Sequence, residues 1–256
     1  MIRYIKIFTS SFHISLKRLL VFRFNFFMML IQNLLYSFSV IISIELLFNF
    51  IDDIAGNNRS EVIIVFSSAL IINGIYRGVF RPNLLLFLDS IRMGTFDFML
   101  IKPIRIGYQI LIGRFDFPSL FSIIFPMYII FFEHSINISK FFIFMILIFT
   151  SSLLIGLIML IIFSLSFIFV NIQKIDESYY TFISIIEKPK EIYPKFIASI
   201  LYIFPLIPIA NIPSNYLSSG YEKFDLILLF TLTTLYFFIA TIVLSRGVRK
   251  YESASN

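Results

Sequence analysis

The sequence has no cysteine, no tryptophan and only two histidines, and charged residues make up 14% of its 256 positions, against about 25% in an ordinary soluble domain. Without cysteine there is no disulfide framework, no thiolate metal site and no thiol nucleophile, and the compartment cannot be read from redox usage. The motifs HExxH, G-x-S-x-G and GxxxxGK[ST] are missing, so a zinc protease, a serine hydrolase or a nucleotide hydrolase lacks its parts. No polar stretch is long enough to form a core of its own. Apolar residues fill the chain instead: 59% are hydrophobic and the mean hydropathy is +0.92. This is the composition of an all-α integral membrane protein with one membrane domain over residues 1–256.

A membrane-crossing helix needs about 20 mostly apolar residues. Six runs are candidates: 24–50, 62–76, 117–132, 141–170, 196–212 and 224–244. The third can extend inward through "IGYQILIGRFDF", and the fifth is interrupted by prolines. Lysine and arginine in short connections mark the cytoplasmic side. With both termini inside, 18 of the 21 basic residues are cytoplasmic, among them Arg77, Arg81, Arg114, Lys188, Lys190 and Lys195. Only Arg59, Lys140 and Lys223 are left outside. The net charge of +6 is thereby explained by topology, without nucleic acid as a partner. His13 and His134 fall on opposite sides, which excludes a shared site.

Residues 1–23 lack a small-residue cleavage site, and the apolar run behind them is too long for a signal peptide. Ile2, Ile5, Phe8, Phe12, Leu16 and Leu19 recur at spacings of three and four, with Arg3, Lys6, His13 and Lys17 on another face. That pattern predicts an amphipathic interfacial helix, with a plain basic anchor as the other reading. The remaining organisation is 24–76 for spans one and two, 77–116 for a cytoplasmic connection, 117–170 for spans three and four, and 171–256 for spans five and six with a cytoplasmic tail.

Few residues carry chemistry. Glu45 is the one ionisable residue within a predicted span, and such residues are functional candidates unless they reach the interface. Asn73 can hydrogen-bond between helices. Arg114 and Asp116, two residues apart, do not share a helix face and must pair elsewhere. "LSSGY" at 217–221 looks like an ATPase signature loop, but it falls in an outer connection with no phosphate loop beside it.

Five of the nine prolines lie between Pro189 and Pro213. Proline removes a backbone donor, and broken backbone at membrane depth survives only where protein or a water-filled cavity covers it. Residues 204–213, with Pro205, Pro208 and Pro213, therefore read as a re-entrant segment on the outer side, a candidate gate over a pathway; a kinked helix is the alternative.

The most ordered polar stretch is "SIRMGTFDFMLIKPIRIG", residues 90–107. Pro82 suits the first turn of a helix, Leu84, Leu85, Leu88 and Ile91 recur at helical spacing, and Gly94 can end that helix in a left-handed cap. Thr95 can cap a second short helix with Asp97 in its first turn, which Pro103 stops. The expectation is two short helices at the cytoplasmic face, held by something else, rather than a loop that is basic for topology alone.

At these residues the chain resembles type-2 ATP-binding-cassette exporter permeases, which have a charged residue, Gly-Thr, an apolar residue, an acid, a Leu and a Pro in this order. The matching positions are Arg92, Gly94, Thr95, Asp97, Leu100 and Pro103. "LIKPI" and "SRGVRKYESAS" resemble a subgroup of paired half-permeases that includes viologen and drug exporters. Where many members carry a Glu about four residues before the Gly, this chain has Ser90 with Asp89 beside it. The resemblance implies that this segment is a coupling helix whose contacts, Asp89, Arg92, Gly94, Thr95, Asp97, Lys102, Pro103 and Arg105, meet a separate ATPase subunit. It implies that ATP is bound there and not by this chain, that a second half-permease, non-identical or identical, completes the path, and that the protein is a multi-pass component of a bacterial plasma membrane that exports its substrate. A non-transporting assembly protein and an ion-coupled transporter are the alternatives; the latter needs several ionisable residues in mid-span.

Overall fold

The computed structural model describes residues 2–133, 137–167, 175–218 and 223–251; His134 and much of "LSSGY" lie outside them. The described residues form helices without a strand ladder: α1 (Ile2–Val21), α2 (Arg23–Phe48), α3 (Arg59–Ile75), a π-helical segment (Tyr76–Phe80), α4 (Arg81–Arg92), α5 (Asp97–Leu100), α6 (Ile106–Leu111), α7 (Phe117–Phe121), α8 (Ile124–Glu133), α9 (Ile138–Ser164), α10 (Ile175–Ile186), α11 (Lys195–Ile203), α12 (Leu206–Ser218) and α13 (Lys223–Lys250). Among the described residues, four stretches are long and apolar enough to cross a membrane: Arg23–Phe48, Arg59–Arg92, Ile138–Phe167 and Lys223–Lys250. The inner pair, α3 and α9, is largely buried, with α12 packed against both and α13 along α9. The outer pair, α2 and α13, presents most of its surface outward.

The second crossing does not stop at Arg77 as its charge suggests. It runs on as one rod, Arg59–Arg92, with Arg77 and Arg81 inside it; Pro82 stands in the first turn of α4, as expected, but α4 follows the π segment without a break in the rod. Proline lacks the N–H that would bond to Gly78, and its ring crowds that carbonyl. The helix widens there into a π turn, with the Arg81 N–H reaching Tyr76 O. The freed Gly78 carbonyl accepts the Asp116 backbone N–H at 2.8 Å. Gly78 and Gly74 also let α7 come close: a Cβ on Gly78 would stand 2.5 Å from the Leu120 side chain, and one on Gly74 3.1 Å from the Ser119 carbonyl. The chain breaks between α6 and α7, so the third crossing is not a continuation of "IGYQILIGRFDF"; the apolar helix is Phe117–Phe131.

Residues 196–212 do not form one straight helix: α11 and α12 meet at 96° around Phe204 and Pro205, the break that the prolines predict, which fits either a broken span or a re-entrant segment. α10 runs along the rod. Tyr179 stacks on Tyr76 of the rod with centroids 4.7 Å apart, Glu187 accepts the Tyr36 hydroxyl at 3.3 Å, and Glu191 accepts from Asn57, in the turn after α2, at 3.2 Å. Lys188 and Lys190 therefore share an end of the bundle with Arg59 and not the opposite end, where the positive-inside rule puts them.

Candidate functional site

At the other end of the rod, α4 closes in a Schellman motif: the Thr95 N–H bonds to Ser90 O at 2.9 Å and the Gly94 N–H to Ile91 O at 3.2 Å, with Gly94 at φ +65°. Only glycine adopts that conformation without a steric penalty. Thr95 does not cap α5 with its side chain. Its hydroxyl turns back toward Ser90 O at 3.4 Å, and Phe96 occupies the cap position. Asp97 stands in the first turn of α5 as expected, and Pro103 sits in the bend between α5 and α6.

What holds this hairpin of short helices is Phe96. It is fully buried, edge-on to Phe87 of α4, to Phe167 after α9 and to Tyr251 after α13. The Gln109 amide on α6 donates to Met99 O at 3.1 Å and Ile104 O at 2.9 Å, tying the far side of the loop. Asn83, buried in α4, closes the clasp. It accepts the Arg114 N–H at 2.6 Å and donates to Val79 O at 2.8 Å and Arg114 O at 3.1 Å. The rod and the α5–α6 loop are thus one mechanical unit.

Around this anchor the surface is apolar within a charged rim. Met93, Phe98 and Ile101 are 74%, 68% and 76% exposed, beside exposed Asp89, Arg92, Lys102, Pro103 and Arg105. Arg92 and Asp89 stand 3.8 Å apart, an exposed pair of small energetic worth. An exposed apolar cluster with a polar rim is the signature of a surface made to be covered.

The matching family model, described as ABC-2 family transporter protein, extends over residues 34–255. The chain belongs to the ABC-2 family. No curated protein and no solved structure gave a match. This ABC-2 protein is accordingly a multi-pass membrane component of an ABC transport system, and the family gives the kind of partner it works with, an ABC ATPase.

Elsewhere in this ABC-2 chain, Glu45 forms an exposed ion pair with Arg59, its carboxylate accepting both Nε and Nη2 of the guanidinium. Asn73 does bond between helices, accepting the buried Tyr179 hydroxyl. The Asp116 carboxylate accepts the Ser119 hydroxyl, while the Arg114 backbone goes to Asn83. Pro205, Pro208 and Pro213 are all buried, and α12 packs them toward α3 and α9. Asn211 holds this segment, accepting the Lys190 N–H at 2.9 Å and donating to Lys188 O at 3.3 Å. The residues that sequence reasoning passed over are Asn83, Phe96, Gln109, Glu187 and Asn211. For Asn211 a signal existed, a polar side chain among apolar neighbours. Phe96 had none, one phenylalanine among 34.

Proposed function

We propose that this chain is one half of an ATP-driven exporter, with α5 and its flanking turns as the helix that docks into a separate ATPase subunit. The exposed Met93, Phe98 and Ile101 beside Asp89, Arg92, Lys102 and Arg105, on a loop fastened by Phe96, carry the reading. In it, six crossings per half (α2, the rod, α7–α8, α9, α10 and α13) surround a path completed by a second half-permease, identical or not, in a bacterial plasma membrane. The termini are cytoplasmic and α1 lies along the inner leaflet. ATP is held by the partner. Binding and hydrolysis there push on the loop, and the Asn83 clasp passes the displacement to the rod. The shift between inward-open and outward-open states is limited by how differently the ATPase binds each. At the opposite end, the α11–α12 hairpin is the outer gate, with Pro205, Pro208 and Pro213 setting its bend.

The experiment is affinity purification of the tagged chain from its native membrane in mild detergent, with mass spectrometry of the proteins that co-purify. A stoichiometric P-loop ATPase, lost with R92E or D97K while insertion is intact, is the expected result. Recovery of intact chain with no ATPase across several mild conditions, or full transport by both variants, refutes the assignment.

A further inference from the structure

At the end of the bundle that holds Arg59, a cavity of about 550 Å³ opens between the C-terminal half of α2, the first turns of α3 and the segment 188–192 that follows α10. Val40, Ile44 and Leu47 of α2, Val62 of α3, and Pro189 and Ile192 form its walls. Behind the wall lies a small core of its own, Ile44, Val62 and Ile63, buried together and apart from the main core of the bundle. Two polar ties join α2 and the turn after it to the far wall, the Tyr36 hydroxyl to Glu187 at 3.3 Å and the Asn57 amide to Glu191 at 3.2 Å. Among the described residues, no hydrogen bond links the two surfaces between these ties. Along α2 the space runs from Ser39 to Leu47, about 12 Å at 1.5 Å per residue. Ser39 and Ser43 also line it, but their hydroxyl protons are spent on Tyr36 O at 2.8 Å and Ser39 O at 2.7 Å. Lys188 is the charged residue of the lining; it is exposed, and Glu187, of opposite charge, is its neighbour in the chain.

The surroundings select the occupant. The space is flanked by α2 and the rod, both long and apolar enough to cross a membrane, and the same stretch of α2 exposes Phe38, Ile42 and Leu46. Leu47, in the cavity wall, is itself exposed, so the wall passes into that outward face without a polar border. The medium against such a face is hydrocarbon. Water fills the space poorly: 550 Å³ has room for about 18 molecules, each taking about three hydrogen bonds when buried, and the wall offers two hydroxyl oxygens and one ammonium. Left empty, the lining forfeits its dispersion contacts. We propose that this slot holds one acyl chain of a membrane lipid, lying along α2 between the Tyr36–Glu187 and Asn57–Glu191 ties. The chain is recognised by shape and burial and its headgroup stays outside, so lipids of different headgroup occupy the slot alike. The occupant lies against the segment that Asn211 ties to α12, and so supports the base of the α11–α12 hairpin. This site requires a membrane around the chain and does not depend on the ATPase assignment.

The test is photo-crosslinking of the full chain, with whatever partners stay bound, in bilayer discs made with phosphatidylcholine that carries a diazirine within one acyl chain. Adducts are mapped by mass spectrometry, with the outward-facing Phe38 and Ile42 as the reference for lipid around the bundle. Adducts at Pro189 and Ile192 are expected beside those at Val40 and Leu47. Ser39 and Ser43 are exposed on α2, so S39F/S43F fills the slot without entering the core. It should abolish the adducts at Pro189 and Ile192 and leave those at Ile42. S43L adds less bulk, is expected to give a partial loss, and decides the matter if S39F/S43F does not insert. Phosphatidylglycerol with the same diazirine chain should give the same pattern, and K188Q the wild-type yield. Wild-type chain without adducts at Pro189 and Ile192 has its slot filled by water or by a partner, and that result overturns the site. So do undiminished adducts there in both filled variants. A yield that follows the headgroup, or falls in K188Q, marks an ion-paired ligand and overturns recognition by shape.

Discussion

Asn83 and Gly78 show how much of this membrane domain rests on single side chains, or on the lack of one. The buried Asn83 satisfies backbone groups from two segments at once, so N83A leaves the half-buried Arg114 N–H without its acceptor. An unsatisfied buried group costs about 1–3 kcal/mol. The expected outcome is a lower thermal midpoint in detergent, with transport coupling lost before insertion; an unchanged midpoint would show the clasp to be idle. G78A is a packing test, since its Cβ must displace the Leu120 side chain. Overpacking of that kind costs about 1–3 kcal/mol. Gly107, with nothing within 4 Å of an added Cβ, is the control, and G107A should leave the midpoint level or raise it. Parallel behaviour of the two glycine variants would contradict the close approach of α7.

Among the elements, α4 with its cap was readable in the sequence and α10 was not. Leu84, Leu88 and Ile91 at helical spacing, followed by Gly94, announced a helix and its end, because a glycine at that place has a single economical conformation. G94A is expected to cost about 1–2 kcal/mol in the left-handed region, and G94N less. The readout is the amount of ATPase recovered with each variant, G94A lowest; equal recovery from all three forms would separate the cap from docking. Proline density flagged the bend at Phe204 and Pro205 correctly as irregular. It gave no hint of α10, which is only 12 residues long and is flanked by lysines that resemble cytoplasmic anchors. A buried carboxylate next to a tyrosine, Glu187 with Tyr36, is a tertiary pairing between residues 151 positions apart, and no local pattern encodes it. The rod was cut short at Arg77 for a similar reason: charge signals an interface only where no cavity receives it.

For the whole molecule, the composition announced a membrane protein and the segment 90–107 pointed to the family that the match over 34–255 shows. The proposed docking surface was half legible. Its charges stood out in the sequence, whereas its apolar centre did not, since Met93, Phe98 and Ile101 are ordinary residues in a chain that is 59% hydrophobic. Desolvated apolar anchors dominate interfaces more than rim charges do. F98D/I101D is therefore expected to abolish ATPase recovery more completely than K102E/R105E, with the chain inserted in both cases; the reverse order would place the energy of docking in the rim. The Gly78 carbonyl has a consequence for biogenesis. Its partner, the Asp116 N–H, is made only after the whole rod and the α4–α6 connection have left the ribosome. Lipid offers no substitute donor. The rod cannot finish its own backbone as a lone inserted helix, so the rod and α7 must mature together, and a chain arrested between them is one that quality-control proteases should recognise.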